Sequence, residues 1–348
     1  MSTKQLFLFG EESDQMGPQE INEVSGIVPY SFVSLNVKEN FGVYDIPFLG
    51  CDFTTVYPTI VSVIPEENTL FSYFGTDTAI MCEIICSAIC HQINWDFLRA
   101  SVYSYTKGNP EWLKPYNLAV IGSKQLDDML GTYHKKDNIK AAERAEIVSA
   151  VGKWANQYRE IRDVFLDGQN VLRPQKQVCD SLQKCAAFSS DPEGKKMNLL
   201  LQKLNVIPEL NGIDRYAKPA IDYHLLRLYL RRGLLYARTK YAVEYISNPG
   251  IERKESTVAA VRELCSELLR QISLFTGLSI SAINLIEWHV ARSVCQREHP
   301  DCDLKGDEAL WLKPIFNECP FRHTCMACNY SNENLKFVKE PSYRGTSY

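Results

Sequence analysis

Five cysteines, Cys295, Cys302, Cys319, Cys325 and Cys328, fall within 34 residues near the end of this 348-residue chain. The first four have the spacing C-x6-C-x16-C-x5-C, and Cys328 follows Cys325 with two residues between them. They sit on stretches with little helical or strand patterning, where the backbone can wrap around a centre. Four thiolates can hold one tetrahedral zinc ion or a [4Fe-4S] cluster. The close pair Cys325 and Cys328 suits zinc, whereas the wider pair Cys295 and Cys302 suits a cluster loop. Such local clustering points to ligation rather than to inert thiols. Cys82, Cys86 and Cys90 are different, because spacing by four puts them along one face of an apolar helix, where thiols act as small hydrophobes.

A second chemistry is carried by "KPAIDYHLLRLYLRRGLL". Pro219 at a helix start puts Asp222 in the first turn, where the helix dipole favours a negative charge. A carboxylate there could stabilise a developing cation or orient an attacking water, although acidic residues are ordinary at helix starts and His224 could be a hydrogen-bonded core histidine. Arg227, Arg231, Arg232, Arg238 and Lys240 make this region locally basic, as a phosphate contact or a solvated helix face would be. "CHQINWDF" ends an apolar helix with His91, Gln92, Asn94 and Trp95, which could fill a pocket, contact a base or cap the helix.

The elements that must position these residues are mostly helical. Residues 1–75 read as a β-rich N-terminal element, with "SGIVPYSFVSLNV" and "YPTIVSVI" as strands. From about 78 the apolar period becomes helical, and further helices are expected at 123–131, 138–159, 195–206, 219–232, 255–275 and 279–295. The polar stretch 167–195 reads as a long loop or insertion. The expected division is an N-terminal element 1–75, a helical core 76–294, a cysteine loop 295–330 and a tail 331–348.

With 45% hydrophobic residues the chain can bury a sizeable core, and its net charge of −4 argues mildly against a protein that coats nucleic acid. No signal pattern and no apolar run near 20 residues stands out, so a cytoplasmic protein with reduced thiols and no membrane partner is expected.

Taken in order, these stretches resemble the endonuclease III branch of the helix-hairpin-helix DNA glycosylases over roughly 78–330. "EIICSAICHQINWDF" looks like that family's first core helix, with Gln92 at the duplex-inserting glutamine. "AIDYHLLRLYLRRGLL" looks like its Val-Asp-Thr-His helix, with Asp222 at the catalytic aspartate and His224 at the supporting histidine. "LIEWHVARSVCQREHPDC" is similar to the helix entering the cluster loop, whose pattern is C-x6-C-x2-C-x5-C. The resemblance implies a mainly α, two-lobed fold, and Cys295, Cys302, Cys319 and Cys325 as ligands of a [4Fe-4S] cluster, with Cys328 spare and zinc as the alternative. It further implies a monomer acting on double-stranded DNA in base excision repair, with Gln92, Trp95, Tyr223, Tyr216, Lys218, Arg227 and Arg231 at the DNA or the base, and Lys135 and Lys136 as further phosphate contacts. The family's Leu-Pro-Gly-Val-Gly hairpin is absent, and neither Lys203 nor Lys218 matches its lyase lysine, so a monofunctional glycosylase is expected. Its substrate would be a damaged or modified base, including modified bases of bacteriophage DNA, which would make it a defence enzyme. "AERAEIVSAVGKWA", "AIDYHLLRLYLRRGLL" and "INLIEWHVA" are also similar to queuosine salvage N-glycosidases, which release a base from a free nucleotide and lack the cysteine loop. A zinc-stabilised nucleic-acid-binding protein without catalysis is the third reading.

Overall fold

A computed structural model describes residues 41–43, 52–64, 74–191, 194–239, 242 and 255–329. The elements are β1 (Phe41–Val43), α1 (Asp52–Val61), α2 (Thr76–Ala88), α3 (Trp95–Gly108), α4 (Ser123–Leu130), α5 (Ala141–Ala155), α6 (Gln175–Gln183), α7 (Lys195–Leu204), α8 (Tyr223–Arg232), β2 (Leu235–Ala237), α9 (Glu255–Thr276) and α10 (Ile280–Ser293), with shorter helical turns between them. The protein is therefore mainly helical, and the described residues include one small two-stranded sheet. Two compact units divide the chain: a central unit of the described residues 74–220, and a C-terminal unit that joins residues before 65 to those from 221 onward. The boundary at 220–221 falls inside the stretch 76–294, and the cysteine segment belongs with the unit that begins at Ile221.

In the central unit, α2 is apolar all round and buries every residue from Ala79 to Ala88. Helices with no polar face become core pillars. Cys82 and Cys86 are fully buried within it, and burial pushes the Cys82 thiol up to about 12. Helix α5 packs closely on the turn at residues 115–118, because at Gly152 a methyl group would lie 2.3 Å from the backbone nitrogen of Ala119. Residues 167–195 do not form an open loop: α6 runs through them, with Val178 and Leu182 buried one turn apart and the Ser181 carbonyl accepting the Trp154 indole N–H at 2.9 Å. Only two apolar positions in nine residues face inward, too weak a period to stand out in the sequence.

In the C-terminal unit, β1 pairs antiparallel with β2, Gly42 opposite Tyr236. The expected strand "YPTIVSVI" is instead the end of α1 and the turn after it, a correction to the β-rich element. Tyr57 and Ile60, three residues apart, are both fully buried, and the Tyr57 hydroxyl donates to Glu287 at 2.5 Å. That tertiary anchoring overrides the β propensity of Thr, Val and Ile. "SGIVPYSFVSLNV", Lys240 and the tail 331–348 lie outside the described residues. Among the described residues no single helix is long and apolar enough to cross a membrane.

Candidate active site and cysteine centre

Helix α8 begins one turn later than its proline suggests. Asp222 is not in its first turn but is its N-cap, with extended backbone and Oδ1 accepting the Leu225 N–H at 3.0 Å. A side chain that closes the first open amide fixes the start there, and Pro219 stays in the irregular lead-in. Asp222 is 8% exposed, so the carboxylate is held at the positive end of the helix with little access to bulk water. Two residues on, His224 Nδ1 lies 2.9 Å from a guanidinium nitrogen of Arg227. Arginine can only donate, so Nδ1 accepts and the imidazole proton is on Nε2.

Arg227 and Arg231, expected at phosphates, are each 1% exposed. Arg227 donates to the carbonyls of Cys295 (2.9 Å) and Ala291 (3.1 Å). Arg231 donates to those of Gln296 (2.5 Å) and Arg297 (2.6 Å), with one N–H 3.6 Å from Cys295 Sγ. Together they satisfy the open carbonyls at the end of α10 and hold the chain that carries the first cysteine. At the other end of α8, Gly233 adopts φ +76°, and a methyl group there would lie 2.4 Å from Met326 Sδ. The turn bearing Cys325 thus rests on the glycine that ends the Asp222 helix.

All five C-terminal cysteines are free thiols within electrostatic reach of one another. The Cys319 N–H donates to the Cys302 carbonyl at 2.8 Å, the Cys328 and Cys302 sulfurs are 3.5 Å apart, and Cys319 feels the charges of Cys302, Cys325 and Cys295. Burial pushes Cys295 and Cys319 upward, with Arg231 and Arg227 opposing the rise at Cys295. Cys325 is held down to about 6, first by its hydrogen bond with the Cys328 thiol. Cys328 is pushed up by the Cys302 and Cys325 thiols together, so it belongs to the group rather than standing spare outside it. Among the described residues no three cysteine, histidine or acidic side chains close on the position of a single ion. The donor set itself, soft sulfurs on loop backbone beside two arginines, fits a thiolate-held centre, which would reverse the burial penalty by binding the ionised form.

In the central unit, Gln92 is exposed at φ +55° in the turn between α2 and α3. Arg144, fully buried, holds that turn from beneath by donating to the carbonyls of Ile89, His91, Asn138 and Ile139. From the other side, the Asn94 N–H donates to the Tyr133 hydroxyl at 3.1 Å, and the Asn94 side chain caps α3. His91 is buried with Glu143 3.0 Å from its Nε2, and burial, followed by Arg144, Lys196, Lys140 and Lys195, lowers it to about 3. Trp95 is half-buried with the Lys203 ammonium 5.4 Å over its ring. The Tyr216 hydroxyl donates to the Arg173 carbonyl at 2.9 Å. Lys218 is exposed, its backbone held by Asn198 and Gln202. Lys135 is exposed, and Lys136 turns its ammonium onto the Gly131 carbonyl.

The structure thus groups Asp222, Tyr223, His224, Arg227, Arg231 and the five cysteines in one unit, and Gln92, Trp95, Tyr216 and Lys218 in the other. Sequence reasoning passed over Arg144, whose role depends on loop carbonyls far along the chain, and Glu287, which looks like any helical glutamate. A buried arginine leaves no local periodicity that distinguishes it from a surface one. No protein-family description matches the chain, and no curated protein matches it.

Proposed function

We propose that this protein is a monofunctional DNA glycosylase that hydrolyses the N-glycosidic bond of a damaged or modified base in double-stranded DNA and leaves an abasic site. The observation that carries the proposal is the construction of α8. One helix presents the buried carboxylate of Asp222 at its N-terminus and uses Arg227 and Arg231 to clamp the backbone that leads from the first cysteine. Cleavage builds positive charge on the sugar as the C–N bond lengthens, and a fixed carboxylate stabilises that charge and directs a water to the anomeric carbon. The water's hydroxyl joins the sugar, its proton passes to Asp222, and the departing base nitrogen is protonated in turn. His224, oriented by Arg227, supports Asp222 on the same turn.

Base extrusion precedes the chemistry in a duplex. In the central unit Gln92, presented on a turn braced by Arg144, suits the gap left in the stack, with Trp95 and Tyr216 as aromatic candidates for a base and Lys218 for the backbone; in the C-terminal unit Tyr223, next to Asp222, is the aromatic candidate. Arg227 and Arg231 are assigned to the cysteine loop rather than to phosphate. Cys295, Cys302, Cys319 and Cys325 would hold the cluster, with Cys328 beside them. A [4Fe-4S] cluster there supplies a rigid brace for the loop and takes no part in hydrolysis.

The test is mass-spectrometric detection of bases freed from damaged DNA, from modified phage DNA and from free deazaguanine nucleotides, with Asp222→Asn as control. Release from DNA that Asp222→Asn abolishes is expected. Release from the nucleotide alone would transfer the protein to the salvage type of N-glycosidase, and activity surviving in Asp222→Asn would remove the catalytic assignment. Cys319→Ser should lose iron and brown colour from anaerobically purified protein. A colourless parent protein containing zinc would replace the cluster.

A further inference from the structure

The C-terminal unit carries a row of rings that starts at the proposed catalytic helix and runs on to tryptophans that the proposed chemistry does not use. It begins beside Asp222 with Tyr223, whose centroid is 4.1 Å from that of His224, and passes from His224 to Trp288 of α10 at 6.4 Å. Trp288 is 5.1 Å from His289, and His289 is 5.6 Å from Trp311, which belongs to the segment between Cys302 and Cys319. All five are half-buried rather than enclosed. The contacts between neighbours in sequence are ordinary. Those from His224 to Trp288 and from His289 to Trp311 join three separate stretches of chain into one band.

The far end of the band is firmly fixed. The Trp311 indole N–H donates to Ser293 Oγ at 3.1 Å, and Ala309 and Leu312 on either side are fully buried. The apolar side chains around it point outward all the same, Leu310 at 52% and Ile315 at 43% exposure. A rigid loop that anchors two residues and leaves a tryptophan and two aliphatic groups at the surface is shaped to receive flat apolar groups. Charge indicates which. The Arg292 guanidinium lies 5.0 Å over the Trp288 ring, yet carboxylates are interspersed: Glu298 is 3.9 Å from Arg297, and Glu308 accepts from Gln296 at 3.1 Å. Rings with a cation beside them suit unpaired bases, which stack on the rings while the guanidinium meets the strand's backbone, and the interspersed carboxylates limit the grip on phosphate alone.

We propose that this band, from Tyr223 to Trp311, is a stacking platform for unpaired nucleotides that adjoin the excised base. The inference rests on the glycosylase reading for its biological setting and narrows the substrate to double-stranded DNA that is opened next to the target. Trp288 and Trp311 supply the stacking surfaces, Arg292 a cation beside the strand, and the segment between Cys302 and Cys319 the far end of the track.

The test is titration of the full-length, cluster-containing protein with a dT oligomer of about 12 nucleotides, followed by intrinsic tryptophan fluorescence and by anisotropy of a labelled strand. Quenching is expected, weaker in Trp311→Phe and unchanged in Trp112→Phe, which alters the central unit. Trp311→Ala should raise Kd about tenfold. Affinity should fall as salt rises, as counterion release from a single strand requires. Trp288→Ala serves if Trp311→Ala loses iron or fails to fold. No binding of the dT oligomer, or equal Kd in the parent and both alanine variants, would overturn the platform. Base release is measured separately. Stacking without release from any substrate would sink the glycosylase reading and leave the platform standing, while release with an unchanged Kd in both variants would sink the platform alone.

Discussion

Each unit is built around a buried glutamate clasped by an arginine and by tyrosine, but the two clasps differ in how far they reach along the chain. In the central unit, Glu83 accepts from Arg99 at 3.0 and 2.8 Å and from Tyr103 at 2.8 Å, partners 16 and 20 residues away on the next helix. In the C-terminal unit, Glu287 accepts from Tyr57, Tyr229 and Arg232, which are 230, 58 and 55 residues away. The first clasp closes a local helix pair. The second ties α1 to α8 and α10, and Arg232 also lies 3.9 Å over the ring of Phe321, between Cys319 and Cys325. One is a fastening within a hairpin of helices. The other makes the N-terminal segment part of the foundation of the cysteine loop.

The largest effect should therefore come from Glu287→Ala. Arg232 is 2% exposed, and removing a partner from a buried pair typically costs about 3 to 5 kcal/mol. Urea unfolding should show the loss, and iron content should fall with it because Phe321 shares the network. Full iron with lowered stability would break the link between clasp and loop. Glu83→Ala should cost less, about 2 to 3 kcal/mol, because its charged hydrogen bonds come from two residues of one neighbouring helix, whereas Glu287 loses three partners on two helices. Iron content should be unchanged, and iron loss in Glu83→Ala would erase the distinction between the two regions.

The same contrast explains what was legible in the sequence. The long amphipathic helices α5, α9 and α10 were readable from the helical period of their apolar residues, and α2 from the length of its apolar run, every residue of which is buried from Ala79 to Ala88. The carboxylate near the start of α8 was visible as a residue type, though placed in the first turn rather than at the cap, and Asn94 was noticed only at the end of the preceding helix, with a pocket, a base contact and a cap left open. The helix α1 was misread as a strand because what fixes it, Tyr57 on Glu287, is 230 residues away. Arg227 and Arg231 looked like phosphate ligands because a basic stripe is the same in sequence whether its guanidiniums face solvent or, as here, loop carbonyls. Convergence of the cysteines was suggested by their density in sequence, but the inclusion of Cys328 depends on a 3.5 Å approach to Cys302 that spacing does not specify.

An effect spread over pH should also distinguish the units. His91 is lowered to about 3 from its ordinary 6.5, chiefly by burial, so it stays neutral in the folded central unit while the unfolded chain takes up a proton. Its contribution is present above pH 6.5 and is lost as pH falls from there toward 3, at up to about 1.4 kcal/mol per pH unit. Hydrogen exchange of α2 and α3 amides should accelerate over that window relative to those of α10, after correction for the intrinsic pH dependence. His91→Gln should flatten the difference; an equal response in α10 would mean that His91 does not set it.

The smallest expected change in stability is the most informative for function, and it comes from comparing the two N-caps. Asn94 caps α3 by accepting from Phe97 at 3.0 Å, and Asp222 caps α8 by accepting from Leu225 at the same distance. Asn94→Ala should cost about 1 kcal/mol, whereas Asn and Asp are near equals as N-caps, so Asp222→Asn should leave the melting temperature almost unchanged. If Asp222 served only as a cap, Asp222→Asn would then be silent in every assay. Loss of base release at full stability and full iron would separate the charge of the carboxylate from its hydrogen bond, which is the distinction the proposed chemistry requires: an amide can close the helix, but it cannot stabilise a cationic sugar or take a proton from water.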